Sequence, residues 1–353
     1  RMILKNSLPI EHQETIPSKW YFKNEYLEIE KRDIFLKEWQ LIGSRSKVKK
    51  PGDVVVAEIA QNPIIVVCQK NGNLKAFYNV CQHRGGPLAY ENCNTNALQC
   101  KYHGWVYELN GDLKNTRGFD DSALKKEQYG MVEVSVCEWM GQVFVNLSQE
   151  PHDISLRLNK IKDLIKPLDV SDYRFVFRES YEIACNWKVY MDNFLEGFHI
   201  PFVHPKLNQV IDYKQYKTEL FDYFSLQWCP LENELSPYGS VSNKEDNKAY
   251  YFTIFPNIIL NIAPGRLQTN IVEPITSRTC MVHFDYHFDN PKNSNVEKDA
   301  EFSELIQQED IKICESVQRG LESEGYDVGR FSPENETGVY HFQSMIRSVF
   351  SDV

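Results

Sequence analysis

The 353-residue chain is long enough for two packed cores, because globular domains usually hold roughly 100 to 200 residues. Its composition, 42% hydrophobic and 25% charged, is ordinary for a folded protein and excludes a disordered or fibrous chain. The formal net charge of −10, without any cluster of basic residues, argues against nucleic acid as a partner. No apolar run approaches the roughly 18 residues of a membrane span, so we expect a cytoplasmic protein with no membrane contact.

The periodicity of apolar residues changes along the chain. Near the N-terminus four of them recur at helical spacing, which predicts a helix: Ile34, Phe35, Trp39 and Ile42. Between residues 51 and 147, short runs such as DVVVAEI and QVFVNL are separated by Asn-Gly turns. This pattern predicts an antiparallel all-β unit of about 100 residues.

Beyond the β unit, helical patterns mix with strands such as YFTIFPNIILNIAP and CMVHFDYHFD, and a long amphipathic helix is predicted at about 296–321. The polar stretch 241–249 predicts an exposed loop. The fold class is therefore α+β. We divide the chain into an N-terminal helical segment at 1–42, a β domain at 43–150 and a larger α+β domain at 151–353.

Two of the nine cysteines stand beside histidines, in the segments Cys81-Gln82-His83 and Cys100-Lys101-Tyr102-His103. Each segment leads into a glycine-containing loop, where the backbone can approach a metal centre closely. Two thiolates and two imidazoles suit a tetrahedral zinc ion or a [2Fe–2S] cluster. The one-residue gap in Cys-x-His is shorter than the two to four residues usual between paired zinc ligands, which favours the iron–sulfur cluster.

A second group of candidate ligands lies in the stretch NWKVYMDNFLEGFHIPFVHP. Its pattern predicts a helix over residues 186–198, with Asp192, Glu196 and His199 on one face. His204 follows on a loop that can turn back toward the helix. Two histidines and a carboxylate from elsewhere would form the facial triad that holds Fe(II) and leaves positions open for O₂ and substrate.

The carboxylate of such a triad is predicted on the C-terminal helix. Asp310 lies within the apolar stripe of that helix, and Glu309 borders the stripe. A carboxylate on a buried face needs a partner, and a metal ion is one such partner. Periodicity alone does not decide between Glu309 and Asp310.

The segments CQHRGGPL and CKYHGWVYELNGDL resemble the binding motif of Rieske-type [2Fe–2S] domains. Over nearly the whole chain, from IFLKEWQLIG to YDVGRFSPENETGVYHF, the sequence resembles the catalytic α subunit of the Rieske non-haem iron oxygenases, the aromatic-ring-hydroxylating dioxygenase family. The resemblance implies an antiparallel Rieske domain and a helix-grip-like catalytic domain with a central antiparallel sheet. It also implies that Cys81 and Cys100 bind the inner iron of the cluster, and His83 and His103 the outer one.

The same resemblance assigns the mononuclear Fe(II) to His199, His204 and Asp310. It makes Glu196 the acid that links His103 of one subunit to the iron site of its neighbour, which implies a ring-shaped homotrimer. The sequence LEGFHIPFVHP around Glu196 is similar to the branch that acts on choline, carnitine, glycine betaine and stachydrine.

The implied reaction uses O₂ and external electrons to hydroxylate a small substrate, by N-demethylation or hydroxylation of a quaternary or N-methylated ammonium compound. Aromatic-ring hydroxylation is the alternative within the family, and a non-catalytic Rieske electron-transfer or redox-sensing protein is the alternative of another class. Because the chain has no dinucleotide or plant-type ferredoxin motif, we expect a separate NAD(P)H-dependent reductase with flavin and an iron–sulfur cluster.

An ammonium substrate would suit an aromatic cage, for which Phe198, Phe202 and Trp228 are candidates. The segment VHFDYHF places His283, Asp285 and His287 on one face of a predicted strand. We expect that face to line the catalytic cavity.

Overall fold

The computed structural model describes residues 8–119, 124–231, 247–292 and 295–350. The chain divides into two compact units. One unit is Phe35–His152, and the other combines Arg1–Ile34 with Asp153–Val353. The predicted loop at 241–249 lies mostly outside the described residues.

The unit Phe35–His152 is built from antiparallel strands. They are β1 (Gln40–Ser44), β2 (Asp53–Ile59), β3 (Asn62–Cys68), β4 (Leu74–Tyr78), β5 (Cys93–Asn94), β6 (Leu98–Gln99), β7 (Val106–Tyr107), β8 (Leu113–Asn115), β9 (Glu133–Trp139) and β10 (Gln142–Asn146). A seven-stranded sheet has the order β1-β10-β9-β4-β3-β2-β5, and β6-β7-β8 form a second sheet. Short 3₁₀ turns occur at Arg45–Val48 and Lys126–Gln128. The predicted all-β unit is confirmed.

The predicted helix across residues 34–42 is wrong. A π-helical turn ends at Phe35, and Ile42 lies in β1, which pairs with β10. All five residues of β1 are buried, so the strand lacks the alternating polarity that would distinguish it from a helix. This unit begins at Phe35, ahead of the sequence-based boundary at residue 43, and β1 belongs to its sheet.

The second unit contains a seven-stranded antiparallel sheet in the order β11-β17-β16-β15-β14-β13-β12. Its strands are β11 (Arg174–Ile183), β12 (Lys217–Leu220), β13 (Phe224–Pro230), β14 (Lys248–Ile254), β15 (Ile258–Ala263), β16 (Arg266–Thr276) and β17 (Thr279–Phe288). Its helices are α1 (Asn24–Glu30), α2 (Ile154–Leu164), α3 (Trp187–Phe194), α4 (Ile200–Val203), α5 (Leu207–Val210), α6 (Asn295–Leu321) and α7 (Thr337–Phe350). Short 3₁₀ turns lie at Ser18–Tyr21 and Tyr213–Gln215. The α+β class and the long C-terminal helix are confirmed, and α6 packs against α3.

The helix predicted at 186–198 is shorter than expected. Asn186 caps α3, but α3 ends at Phe194, and Glu196 and His199 lie in the turn before α4. Gly197 occupies this turn, where a Cβ would lie 2.8 Å from the Tyr216 ring. The predicted common face of Asp192, Glu196 and His199 is therefore wrong, because one continuous helix does not hold all three.

The N-terminal segment is joined to α3 by buried polar contacts. Lys188 Nζ lies 2.5 Å from Glu30 Oε1, and both side chains are fully buried. Tyr21 Oη donates to Asp192 Oδ2 at 2.6 Å. Asp192 thus faces the N-terminal segment. No helix in the described part of the chain is long and apolar enough to cross a membrane.

Candidate metal centres

The two Cys/His segments adopt the same turn. The N–H of Gly85 donates to the carbonyl of Cys81, and the N–H of Gly104 donates to the carbonyl of Cys100, both at 2.9 Å. The two glycines have φ angles of 75° and 80°, in the left-handed region that disfavours residues with a Cβ. The sequence therefore builds two equivalent loops that each present one thiol and one imidazole.

The four side chains of these loops face one another. Cys81 and Cys100 are buried, and the rings of His83 and His103 have centroids 4.6 Å apart. Burial raises the pKa of the Cys81 thiol, and the neighbouring Cys100 raises it further. The Oη of Tyr107 accepts from the backbone N–H of Gln82 and lies 3.4 Å from Cys81 Sγ, so its own hydrogen can point to the sulfur.

These residues suit a two-iron cluster better than a single ion. The Nδ1 of His83 is buried without a hydrogen-bond partner among the described residues, as expected for a nitrogen that binds a metal. A Cβ on Gly86 would lie 2.9 Å from Cys100 Sγ, so the site requires glycine there. Two thiolates and two imidazoles are also the ligand set of a Rieske [2Fe–2S] cluster.

A second cluster lies in the other unit, where His199, His204 and Asp310 bring ligand atoms within 4.8 Å of one another. The Nε2 atoms of the two histidines are 3.2 Å apart, and Asp310 Oδ1 lies 3.0 Å from His204 Nε2 and 3.8 Å from His199 Nε2. Burial lowers the pKa of His204, but hydrogen bonds and negative charge from Asp310 and Glu309 outweigh it, so the pKa is raised. Two imidazole nitrogens and a carboxylate converging on one point suit a divalent cation.

The outer nitrogens of both histidines contact carboxylates. Glu196 Oε1 lies 2.7 Å from His199 Nδ1, and Glu309 Oε2 lies 2.7 Å from His204 Nδ1. Carboxylates in this position fix the orientation and tautomer of metal-binding imidazoles. The two residues between which the sequence did not decide therefore both lie at the site. Asp310 belongs to the triad, and Glu309 contacts the outer nitrogen of His204.

A cavity of about 110 Å³ borders the triad. Its aromatic lining consists of Tyr190, Phe194, Tyr216, Tyr251, Phe284 and Phe302. Its polar lining includes Asn261, Arg266, Gln268, Asn270, Ser303 and Gln307. Sequence periodicity missed these residues because most of them come from strands and from two helices, α3 and α6, that are far apart in the chain.

The aromatic candidates from the sequence are wrong. Phe198 and Phe202 are exposed by 45% and 82%. The Trp228 ring makes cation–π contacts with Lys217 and Lys248 and is not part of the cavity lining. The expectation for the VHFDYHF strand is also wrong, since the cavity contacts Phe284. His283 instead contacts Ser180, and Asp285 pairs with Arg178. The successive residues of a strand face opposite sides, and the apolar side faces the cavity.

Two family patterns match the chain. The Rieske [2Fe-2S] domain family matches residues 38–127, and the ring hydroxylating alpha subunit (catalytic domain) family matches residues 170–352. The chain belongs to the ring-hydroxylating oxygenase family. It is a Rieske non-haem iron oxygenase, an enzyme whose cofactors are a Rieske [2Fe–2S] cluster and a mononuclear iron.

Curated relatives of this oxygenase match it over most of their length. Choline monooxygenase of Arabidopsis thaliana chloroplasts is 30% identical over 96% of this chain and 83% of its own. The carnitine monooxygenase oxygenase subunit of Escherichia coli is 29% identical over 96% and 94%. The solved quaternary ammonium Rieske monooxygenase CntA has a TM-score of 0.89 at 26% identity, over 98% of this chain and 99% of its own. Naphthalene 1,2-dioxygenase of Rhodococcus, at 19% identity and a TM-score of 0.80, shares the fold.

Proposed function

We propose that this oxygenase hydroxylates a small quaternary or N-methylated ammonium compound and releases an N-methyl group as formaldehyde. The observation that carries the proposal is the cavity, whose aromatic walls stand beside the carboxylates of Glu196 and Asp310. Aromatic faces attract cations by roughly 0.5 to 2 kcal/mol each. The similarity to choline and carnitine monooxygenases supports the same substrate class.

We further propose specific roles for the candidate ligands. Cys81 and Cys100 would hold one iron of the cluster, and His83 and His103 the other. The mononuclear iron would be held by three residues, namely His199, His204 and Asp310. Bound there, the two centres supply one-electron transfer and O₂ activation.

The residues around the triad would position the substrate and the ligands. Glu196 and Glu309 hold the two imidazoles through their Nδ1 atoms. The aromatic walls exclude water and keep an N-methyl carbon near the triad. Hydroxylation of that carbon leaves an N-hydroxymethyl group; its C–N bond then breaks, the nitrogen keeps the electron pair, and the hydroxyl proton passes to solvent as formaldehyde leaves.

The experiment combines iron analysis with product assays. Purified protein should contain three irons per chain, two in the cluster and one mononuclear, whereas an electron-transfer protein would contain two. With a surrogate reductase, betaines, carnitine and choline should be tested for formaldehyde, and simple arenes for cis-diols. Formation of cis-diols without formaldehyde from any ammonium compound would overturn the proposal.

We propose that electrons enter from a separate NAD(P)H-dependent flavin and iron–sulfur reductase and cross between subunits of a homotrimer. Glu196, which contacts His199, would receive them from His103 of a neighbouring subunit. Mixing a Cys81→Ser variant with an Asp310→Ala variant tests this directly, because each lacks a different centre. Mixed trimers should regain activity, and inactive mixed trimers of verified composition would contradict the crossing.

We also propose a cytoplasmic location and a three-part division of the chain. None of the nine cysteines, all of which lie in the described part of the chain, forms a disulfide, which suits a reducing compartment. Within the predicted segment 1–42, the residues up to Ile34 would brace the catalytic domain at 151–353, and the contact of Glu30 with Lys188 supports this. The domain at 43–150 would carry the Rieske cluster.

A further inference from the structure

One half of the cavity beside the triad is lined by polar side chains. Cation–π attraction to an N-methyl ammonium group does not involve this polar half. Arg266 and Asn270 stand four residues apart on β16, so their side chains share one face of the sheet. Ser303, Gln307 and Asp310 follow the i, i+4, i+7 spacing of one face of α6. All five line the cavity, so one helix face carries both the candidate iron ligand and part of the polar half.

The polar half has a positive end. Arg266 is the one lysine or arginine among the described lining residues. Its Nε lies 2.5 Å from Oδ2 of Asp299, and both side chains are buried. Asp299 is not part of the lining, so the pair forms a dipole whose positive end meets the cavity.

Three amides in the polar half have buried atoms without partners among the described residues, namely Asn261 Oδ1, Asn270 Oδ1 and Gln307 Nε2. Gln307 Oε1 accepts from Tyr190 Oη at 2.7 Å, but its Nε2 has no partner among the described residues, and neither has Asn270 Oδ1. Gln307 and Asn270 are only 2% and 1% exposed. A buried polar atom without a partner costs about 1–3 kcal/mol, which a ligand that bonds to it can recover. Since an amide can present either its oxygen or its nitrogen, Asn270 can also act as a donor.

We propose that this polar half binds a carboxylate, so that the substrate is a zwitterion with its N-methyl cation toward the triad. This inference rests on the proposed function and narrows it from ammonium compounds in general to betaines and N-methyl amino acids. A carboxylate accepts from Gln307 Nε2 and is attracted to Arg266. The hydroxyl of choline forms neutral hydrogen bonds, which are roughly half as strong as those to an ionised group.

Glycine betaine and choline provide a matched pair of probes, because both carry a trimethylammonium group and differ at the other end. We expect titration calorimetry on the reconstituted enzyme to give a Kd for glycine betaine at least about tenfold below that for choline. Gln307→Glu keeps an acceptor for Tyr190 but replaces the donor with a negative charge. It should raise the ratio of the betaine Kd to the choline Kd by about 100-fold, since like charges in close contact repel strongly.

Gln308→Glu is the matched control. It makes the same chemical change at the next residue of α6, which is exposed and outside the cavity, and it should leave the Kd ratio unchanged. Gln307→Leu separates the loss of the donor from the added charge, since it removes the donor without adding a charge. This second variant should raise the ratio by about tenfold.

Equal affinities for the two probes, or a Gln307→Glu variant that weakens both equally, would overturn the carboxylate site. Formaldehyde release from choline and betaine with equal efficiency would leave the proposed function intact and refute this narrower inference. Selective betaine binding without formaldehyde from any N-methyl compound would instead refute the proposed N-demethylation, while the carboxylate site would stand.

Discussion

Glu309→Gln should weaken iron binding without abolishing it. Glu309 Oε2 lies 2.7 Å from His204 Nδ1, so the imidazole N–H donates to a carboxylate. Hydrogen bonds to charged groups contribute about 1.5–3 kcal/mol, and neutral ones about 0.5–1.5 kcal/mol. The amide variant should therefore lose about 1 kcal/mol or more, which corresponds to a Kd for Fe(II) raised at least roughly fivefold. Losses of about 10- to 100-fold are typical when such supporting carboxylates are changed.

Competition with a chromophoric chelator under anaerobic conditions would measure this Kd, while the visible absorbance of the cluster reports on the integrity of the other unit. Glu301→Gln is the matched control, since it makes the same change at an exposed position of α6. Asp310→Ala sets the other limit and should remove the mononuclear iron. The reasoning fails if Glu309→Gln binds iron as tightly as the wild type. It also fails if the loss matches that of Asp310→Ala, because Glu309 would then be a ligand itself.

Three further changes test other parts of the molecule. Gly86→Ala should lower the cluster content measured by visible absorbance, because the new Cβ would lie 2.9 Å from a candidate ligand sulfur; Gly320→Ala, with nothing within 4 Å, should not. Tyr107→Phe removes the hydroxyl 3.4 Å from Cys81 Sγ and should lower the midpoint potential by roughly 60 mV; an unchanged voltammogram would count against that contact. Burial raises the pKa of Asp192 to about 7, so between about pH 4 and 7 the folded chain keeps a proton that the unfolded chain has lost, and the free energy of unfolding falls as the pH rises. Asp192→Asn should remove this fall in thermal melts; a persistent fall would assign it to another group.

The cluster loops could be predicted from the sequence because their geometry is local. Cys81 and His83 are separated by one residue, and Cys100 and His103 by two, so each pair is fixed by a single turn. The glycines that allow those turns are also visible in the sequence. Long-range pairing of strands was not needed to recognise either loop.

The iron site depends on contacts that periodicity does not encode. Neighbouring residues on a helix point about 100° apart, so Glu309 and Asp310 could not be distinguished until His204 was placed between them. Asp192 was misassigned because its partners, Tyr21 and Gln343, lie 171 and 151 residues away in the sequence. The glycine at position 197 was the one local sign that α3 would end early.

Because α6 carries Gln307 and Asp310 on one face, a rotation of this helix moves both side chains together. It therefore couples the position of the substrate's carboxylate end to that of the iron ligand. Side-chain tips lie about 5–6 Å from a helix axis, so a twist of about 10° shifts them by about 1 Å. A displacement of that size can change a reaction rate by about a hundredfold. A ligand that shifts Gln307 would thereby also shift the carboxylate of Asp310. The position of this candidate iron ligand would then depend on which molecule occupies the cavity.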